Sequence, residues 1–160
     1  MSLKVTAFNI LAPVWASPEL YTSGSLPLLD PSARNRIVAD RLLELSSDAV
    51  MMEEVEAESL ENMRGTTQEL DEKYTIHFAP FPAKLWSNWL TSSTNFEPRE
   101  NGLCIMLSKS EFTEVTFEQV CIDPDDGQAV PEYSRGNFSL LAHCYSTKWK
   151  RRVTFVCTHA

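Results

Sequence analysis

A short apolar run that leads into acidic residues constrains this chain most. Residues 49–52 (AVMM) form the run, and Glu53, Glu54 and Glu56 follow it. Four consecutive apolar residues predict a short strand that is buried on both faces, as in parallel sheets covered by helices. Open α/β sheets place their ligand sites beyond the carboxyl ends of such strands. The stretch therefore predicts a buried strand with a candidate site at its end.

The same acidic cluster also has a purely structural interpretation. The dipole of a helix favours negative charge in its first turn. Residues 53–61 would then be the acidic beginning of a helix and would bind nothing. The stretch taken alone leaves both interpretations open.

The strand that precedes this stretch ends in a polar side chain. Residues 3–11 alternate so that Leu3, Val5, Ala7 and Asn9 share one face. Residues 12–31, rich in proline and small residues, predict a long irregular connection.

A helix is predicted between the two strands. Ser32 is its expected cap, and Val38, Leu42 and Leu45 form its apolar stripe, with Ile37 beside it. Such a β-loop-α-β crossover makes the two strands parallel. If they are neighbours, Asn9 lies next to the acidic cluster.

The rest of the chain changes from helical to strand patterns. Residues 57–70 predict a second helix with Leu60, Met63, Thr67 and Leu70 on one stripe. Residues 74–79 predict a strand, and residues 80–99 predict a long loop that carries Trp86 and Trp89. No helical pattern interrupts the later strands, so we expect them to pair antiparallel; they are residues 103–107, 115–122, 138–145 and 153–158.

Composition limits the classes of partner. The chain has 160 residues, enough for one domain, and a formal net charge of −8. A protein with that charge does not attract phosphate backbones as a whole, so a phosphate-bearing substrate requires a local site or a metal. No 18-residue apolar segment is present, and we expect no membrane span.

Cysteine usage predicts the compartment. The four cysteines are widely spaced without a CxxC pair, and three of them lie in strand-like runs. Buried, reduced thiols fit a reducing compartment, so we expect the cytoplasm, with the nucleus as the alternative.

Three polar residues follow predicted strands and together suit phosphate chemistry. They are Asn9, Glu54 and His159. Mg²⁺ takes one or two protein carboxylates and completes its shell with water and substrate phosphate. A histidine can supply a proton or a hydrogen bond to phosphate. This combination favours metal-assisted phosphodiester hydrolysis.

Four segments carry a resemblance to a known family. They are residues 5–11 (VTAFNIL), 48–56 (DAVMMEEVE), 101–107 (NGLCIML) and 153–159 (VTFVCTH). In this order they resemble the endonuclease/exonuclease/phosphatase superfamily, which has the deoxyribonuclease I-like fold, and within it the deadenylase and nocturnin-like branch. The resemblance implies an α/β/β/α sandwich, of which residues 1–160 would be about the N-terminal half of a single domain. A mixed sheet with helices on its outer face is then expected.

The resemblance also implies roles for individual residues. Glu54 is expected to hold Mg²⁺, with Mn²⁺ as the alternative, while Asn9 and His159 are expected to be catalytic. Three further residues are candidate substrate contacts on their residue type alone. Glu56 either contacts a substrate or is a solvated carboxylate beside the site. Trp86 and Trp89 either stack on bases or anchor their loop over the core.

Two departures from the family pattern matter for activity. Glu53 stands where the family usually has Gln. The later motifs of the family, which supply an Asp/Asn pair and an Asp–His pair, are absent. We therefore expect a site that needs a C-terminal half to be complete.

The implied function is magnesium-dependent hydrolysis of phosphodiester bonds. RNA is the first substrate to expect, as for a ribonuclease of the deadenylase type. A phosphatase, or a phospholipid or sphingomyelin phosphodiesterase, is the alternative within the superfamily. A non-catalytic module whose exposed sheet pairs with another chain is the alternative outside it. Residues 148–152 (KWKRR) predict a basic hairpin tip, either a solvated turn or a contact with nucleic acid.

Overall fold

The computed structural model of the chain describes residues 2–13, 30–81, 101–122 and 138–159. The strands predicted in the sequence are confirmed, with bounds that move by a few residues. Within the described ranges lie, in chain order, β1 (Val5–Asn9), α1 (Pro31–Leu45), β2 (Ala49–Glu56), α2 (Ala57–Thr66), α3 (Glu69–Lys73), β3 (Tyr74–Pro80), β4 (Asn101–Ser108), β5 (Phe112–Cys121), β6 (Phe138–Ser146) and β7 (Arg151–Thr158).

The first sheet is mixed and has the order β1-β2-β4-β3. β1 and β2 run parallel, and Asn9 lies opposite Glu53. β4 is antiparallel to both β2 and β3. The expected parallel pair is confirmed, so the ends of β1 and β2 meet at one edge of the sheet. The acidic residues 53, 54 and 56 belong to β2, which decides against their forming the first turn of a helix.

The second sheet is antiparallel and packs against the first. Its order is β5-β6-β7. Ile105 and Leu107 of the first sheet share a buried cluster with Leu140 and Phe155 of the second. On its other face the first sheet contacts the helices, where Met52 and Met106 pack with residues such as Leu42 and Met63. The layers are therefore helix, sheet and sheet, as the implied sandwich requires.

The beginning of α1 differs from the prediction. Asp30, rather than Ser32, is the cap, because its side chain accepts a hydrogen bond of 2.7 Å from the backbone N–H of Ala33. Pro31 then occupies the first helical position, where its missing N–H costs nothing. The expected stripe is also rotated: Asn35, Ala39 and Leu42 are the buried residues.

Ile37 is exposed. Ile37 is next to Val38 in the sequence but lies 100° from it around the helix axis, which places Ile37 outside the buried face.

The predicted helix over residues 57–70 is two helices. α2 ends at Thr66, and Thr67 has an extended backbone that separates it from α3. β-branched Thr loses side-chain freedom in a helix, and Gly65 just before it weakens the last turn. Leu60, Met63 and Leu70 are nevertheless buried together, so the predicted apolar face survives the break.

The thiols that the structure describes are buried and unpaired, as predicted. They belong to Cys104, Cys144 and Cys157. Burial raises the pKa of Cys144 to about 11 and that of Cys157 to about 12, and it raises the pKa of Cys104 further. These groups behave as small apolar side chains at neutral pH. No helix in the described ranges has the length and apolarity that crossing a membrane requires.

Candidate active site

A β-bulge at the end of β2 places Glu54. Met52 pairs with Cys104, but Val55, rather than Glu54, pairs with Gly102, so β2 carries one extra residue here. Glu54 has a backbone φ of 56°, an unusual value for a residue with a side chain. Without the bulge, strict alternation would send Glu54 into the helix-facing core behind Met52. The bulge instead directs the carboxylate to the edge of the sheet, a common device near active sites.

Asn9 contacts this carboxylate directly. Its amide Nδ2 donates a hydrogen bond of 2.8 Å to Oε1 of Glu54. Its Oδ1 accepts a bond of 2.9 Å from the backbone N–H of Leu11, which closes an Asx-turn. Both ends of the Asn9 amide are therefore fixed, and its orientation follows from these two bonds. The juxtaposition expected from the parallel strands is present.

The turn after β1 completes the surroundings of Glu54. Leu11 has a backbone φ of 52°, and the next backbone N–H, of Ala12, points to Oε2 of Glu54 at 3.4 Å. Arg34 of α1 holds this turn, since its guanidinium donates to the carbonyls of Ile10 and Leu11 at 2.7 and 2.6 Å. A single arginine thus connects α1 to the segment that contacts the carboxylate.

His159, directly after β7, reaches the same carboxylate from the second sheet. Its Nε2 lies 3.3 Å from Oε1 of Glu54, and the two side chains are 33% and 17% exposed. The ring of Phe81 packs edge-on against His159, with centroids 6.3 Å apart. The sequence predicts Asn9, Glu54 and His159 as site residues because each follows a strand, and the fold brings all three together.

The expected substrate contacts fare differently. Glu56 is only 1% exposed, so direct contact with a substrate would require its side chain to be uncovered. It lies at the junction of β2 and α2, where it is the residue that precedes the helix. Trp86 and Trp89 lie outside the residues that the structure describes.

Arg34 is the residue of this site that the sequence interpretation missed. A signal was present, because Arg34 lies in the first turn of α1, where the helix dipole disfavours a cation. No acidic residue occupies that turn. A cation in so unfavourable a position indicates a specific contact elsewhere, here with two backbone carbonyls.

The donor set fits Mg²⁺ rather than Zn²⁺. Zinc sites gather three or four Cys, His or carboxylate ligands. Within the described ranges, no three His, Cys, Asp or Glu side chains converge on one point. Mg²⁺ accepts one or two protein carboxylates and keeps several waters. Glu54 provides one carboxylate that is partly open to solvent, which suits a hydrated Mg²⁺ or the similar Mn²⁺.

Comparisons with known proteins agree with this architecture. No protein-family model and no curated protein sequence matches the chain. Solved structures do match. ANGEL2, described as a 2′,3′-cyclic phosphatase, aligns over 98% of this chain and 40% of its own, with a TM-score of 0.67 and 18% identity. The human Nocturnin catalytic domain aligns over 99% and 49%, with a TM-score of 0.64 and 17% identity.

A bacterial structure extends the likeness. An endonuclease/exonuclease/phosphatase from Bacteroides vulgatus aligns over 98% of this chain and 52% of its own, with a TM-score of 0.58 and 14% identity. The chain therefore spans about 40 to 52% of the length of these structures. At such identities the likeness concerns the fold. The chain has the fold of these structures, the deoxyribonuclease I-like fold, over about the N-terminal half of that fold.

Proposed function

We propose that this chain is the N-terminal half of a metal-dependent hydrolase of phosphodiester bonds. The observation that carries the proposal is that two side chains from different sheets, those of Asn9 and His159, converge on one carboxylate oxygen, Oε1 of Glu54. A carboxylate with an amide donor on one side and an imidazole on the other suits a metal ligand beside a phosphate. The structural relatives, which are hydrolytic proteins by description, support the same class of reaction.

Each residue of the cluster has a distinct task in this proposal. Glu54 would hold Mg²⁺, which when bound neutralises phosphate charge and activates water. Asn9 fixes the carboxylate through Nδ2. His159 would turn its Nε2 to a phosphate oxygen, where it stabilises the charge that develops in the transition state. Arg34 and the N–H of Ala12 keep the loop in place around Glu54.

The substrate class is proposed at a finer level. RNA, in the manner of a deadenylase, is our first candidate, because the ends of residues 5–11, 48–56 and 153–159 look most like that branch. ANGEL2 is a cyclic phosphatase that has been solved with adenosine-2′,3′-vanadate, which keeps a nucleotide phosphatase as the alternative. Phospholipid or sphingomyelin phosphodiesterase activity is the third candidate, since one fold serves many substrates.

The complete site requires more chain than these residues provide. β1 and β7 are edge strands among the described strands, one in each sheet, and both carry residues of the cluster or lead to one. We propose that the remainder of the domain extends the sheets from these edges and supplies the further catalytic carboxylates. The three buried thiols support the cytoplasm as the location, with the nucleus as the alternative.

A magnesium titration followed by amide NMR tests the metal assignment on this chain. Added Mg²⁺ should shift the backbone signals of Ala12 and Glu54, which surround the carboxylate, and Glu54→Gln should abolish those shifts. Glu58→Gln, on the exposed first turn of α2, is the matched control and should leave them unchanged. Equal shifts in wild type and Glu54→Gln would remove Glu54 from the metal site.

A non-catalytic interaction module is the competing function. Val5 on β1 and Val156 on β7 are exposed apolar residues on edge strands, which is where another chain would add. Sedimentation equilibrium with and without Mg²⁺ separates the two proposals. A protein that self-associates and does not respond to Mg²⁺ supports the module. A protein whose response to Mg²⁺ is lost in Glu54→Gln supports the hydrolase.

A further inference from the structure

The end of the sandwich opposite Glu54 concentrates positive charge in an otherwise acidic protein. β1, β2, β3, β5 and β7 begin at this end, and β4 and β6 finish there. About five residues of β2 separate it from Glu54, which corresponds to about 17 Å at ~3.3 Å per residue. The basic side chains that the topology gathers at this end are Lys4, Lys73, Lys109, Lys148, Lys150 and Arg151.

Much of this charge is not cancelled by ion pairs. The ammonium groups of Lys4, Lys73 and Lys109 donate to neutral oxygens, namely the Leu45 carbonyl, the Ser46 hydroxyl and the Asp71 carbonyl. Among the described contacts, Lys148 alone of the six approaches a carboxylate, that of Asp48 at 3.9 Å.

The carboxylates at this end are largely committed elsewhere. Asp71 pairs with Arg64 at 2.8 Å, and Asp48 also accepts the backbone N–H of Lys4 at 2.8 Å. Glu111 is buried, while Glu69 and Glu72 on α3 are exposed. At this end of the sandwich, the basic side chains without an ion pair therefore outnumber the exposed carboxylates without one.

A buried carboxylate fixes the hairpin that presents this charge. We call residues 148–151 (KWKR) the basic tip. Glu111, only 7% exposed, accepts the backbone N–H of Lys148 at 3.0 Å and the hydroxyl of Ser146 at 2.5 Å. The same hydroxyl accepts the N–H of Trp149 at 3.0 Å. Buried charge of this kind is costly unless it is fully bonded, and here its bonds all shape the tip.

The tip presents an aromatic ring between cations. Trp149 is 38% exposed, and Lys148 and Lys150 flank it in the chain. Lys150 has a backbone φ of 54°, a strained conformation of the sort that persists at functional sites. An exposed ring next to Lys150, which has no carboxylate partner among the described contacts, matches single-stranded nucleic acid, whose bases stack on aromatic rings while its phosphates meet the cations. Membrane binding requires a broader apolar face than one tryptophan provides.

We propose that the basic tip, with the lysines around it, is a second docking surface that binds single-stranded nucleic acid away from the Glu54 cluster. The proposal is one of binding and does not depend on hydrolysis. Its energetic basis is the release of counterions from the strand by the tip cations, together with base stacking on Trp149.

Fluorescence anisotropy of a labelled single-stranded oligoadenylate, in the presence of a chelator, tests the proposal without hydrolysis. Lys150→Glu/Arg151→Glu should weaken binding about tenfold or more and reduce the salt dependence by roughly 0.7 in log–log slope for each phosphate that the protein no longer neutralises. Trp149→Ala should weaken binding about fivefold or more. All three residues are exposed, so the variants should fold, which their circular dichroism and thermal midpoints check.

Arg36→Glu near the beginning of α1 is the control, and it is compared with Lys150→Glu alone. This part of the helix lies beside Ile10 and Leu11, at the Glu54 end of the sandwich and away from the tip. The control should bind like wild type. Equal weakening by the control and the tip variant would overturn the proposal, as would tip-dependent binding to phosphatidylserine vesicles without binding to the oligonucleotide.

Discussion

The side-chain amide of Asn9 donates a 2.8 Å hydrogen bond to Glu54, across 45 positions of sequence. The bond exists because β1 and β2 are parallel neighbours and because a bulge turns Glu54 out of the core. It joins the two residues on which the proposed function depends most. A substitution of Asn9 should therefore change the position of the Glu54 carboxylate, and a substitution of Glu54 should change that of the Asn9 amide.

Replacing Asn9 should destabilise the protein. Asn9→Ala removes the donor to Glu54 and the acceptor for the Leu11 N–H. We expect the free energy of unfolding to fall by about 1–2 kcal/mol. Urea unfolding measures the difference, and the exposed Asn62→Ala on α2 should stay within about 0.5 kcal/mol of wild type. Equal stability of the two variants would mean that the Asn9 bonds contribute nothing.

Arg34 should support the site through the backbone. Arg34→Met keeps much of the side-chain volume but removes both donors to the carbonyls of Ile10 and Leu11. Stability should fall by about 1–3 kcal/mol, because carbonyls left unbonded inside the protein are costly. Hydrogen exchange at Ala12 should also accelerate, while the exposed Arg36→Met should change neither property. An unchanged exchange rate at Ala12 in Arg34→Met would separate Arg34 from the turn.

The sequence predicts which strands lie side by side at the site, but not the backbone geometry of the residues there. Adjacent parallel strands follow from the crossover pattern, so Asn9 and Glu54 could be placed together from sequence. The bulge could not be predicted, because the residue with the positive φ is Glu54, whereas a glycine at that position would have indicated a bulge. The cap at Asp30 and the break at Thr67 depend on which local hydrogen bonds and packing prevail, and several nearby residues offered similar signals.

Contacts between residues far apart in the sequence do not follow from local patterns. His159 reaches Glu54 only because the second sheet packs on the first, which no local pattern encodes. Arg34 contacts carbonyls more than twenty positions away, and backbone acceptors are the same in every sequence. The four ordered segments supplied the fold because together they resemble a family, although each is short.

Gly102 should tolerate no side chain. A Cβ there would lie 2.0 Å from the carbonyl oxygen of Ala79 on β3, next to the bulge of β2. Gly102→Ala should therefore lower the free energy of unfolding by about 1–3 kcal/mol or more, through backbone displacement. Gly65→Ala is the matched control: its Cβ meets nothing within 4 Å, and in α2 it should stabilise by about 0.4–1 kcal/mol. Thermal or urea unfolding of both variants decides, and a neutral Gly102→Ala would contradict the close approach.

The buried thiols should react slowly in the native state. Burial raises the pKa of Cys157 from 9.0 to about 12, so its reactive thiolate fraction below pH 9 is about a thousandfold lower than for an exposed thiol. Alkylation should speed up as pH rises toward that pKa. Peptide mapping after iodoacetamide treatment at pH 8, with and without denaturant, measures it. Rapid native labelling of Cys144 or Cys157 would contradict their burial.

Hydrolysis by the protein that carries this chain together with the rest of its domain tests whether Glu54 is a metal ligand of an active site. With Mg²⁺ and an oligoadenylate substrate, Glu54→Gln should lower the rate at least about a hundredfold, as expected for loss of a metal ligand. Glu58→Gln should retain wild-type activity. A chelator should abolish the activity of both the wild type and Glu58→Gln. Magnesium-dependent hydrolysis that persists in Glu54→Gln would contradict the assignment of Glu54 as the metal ligand.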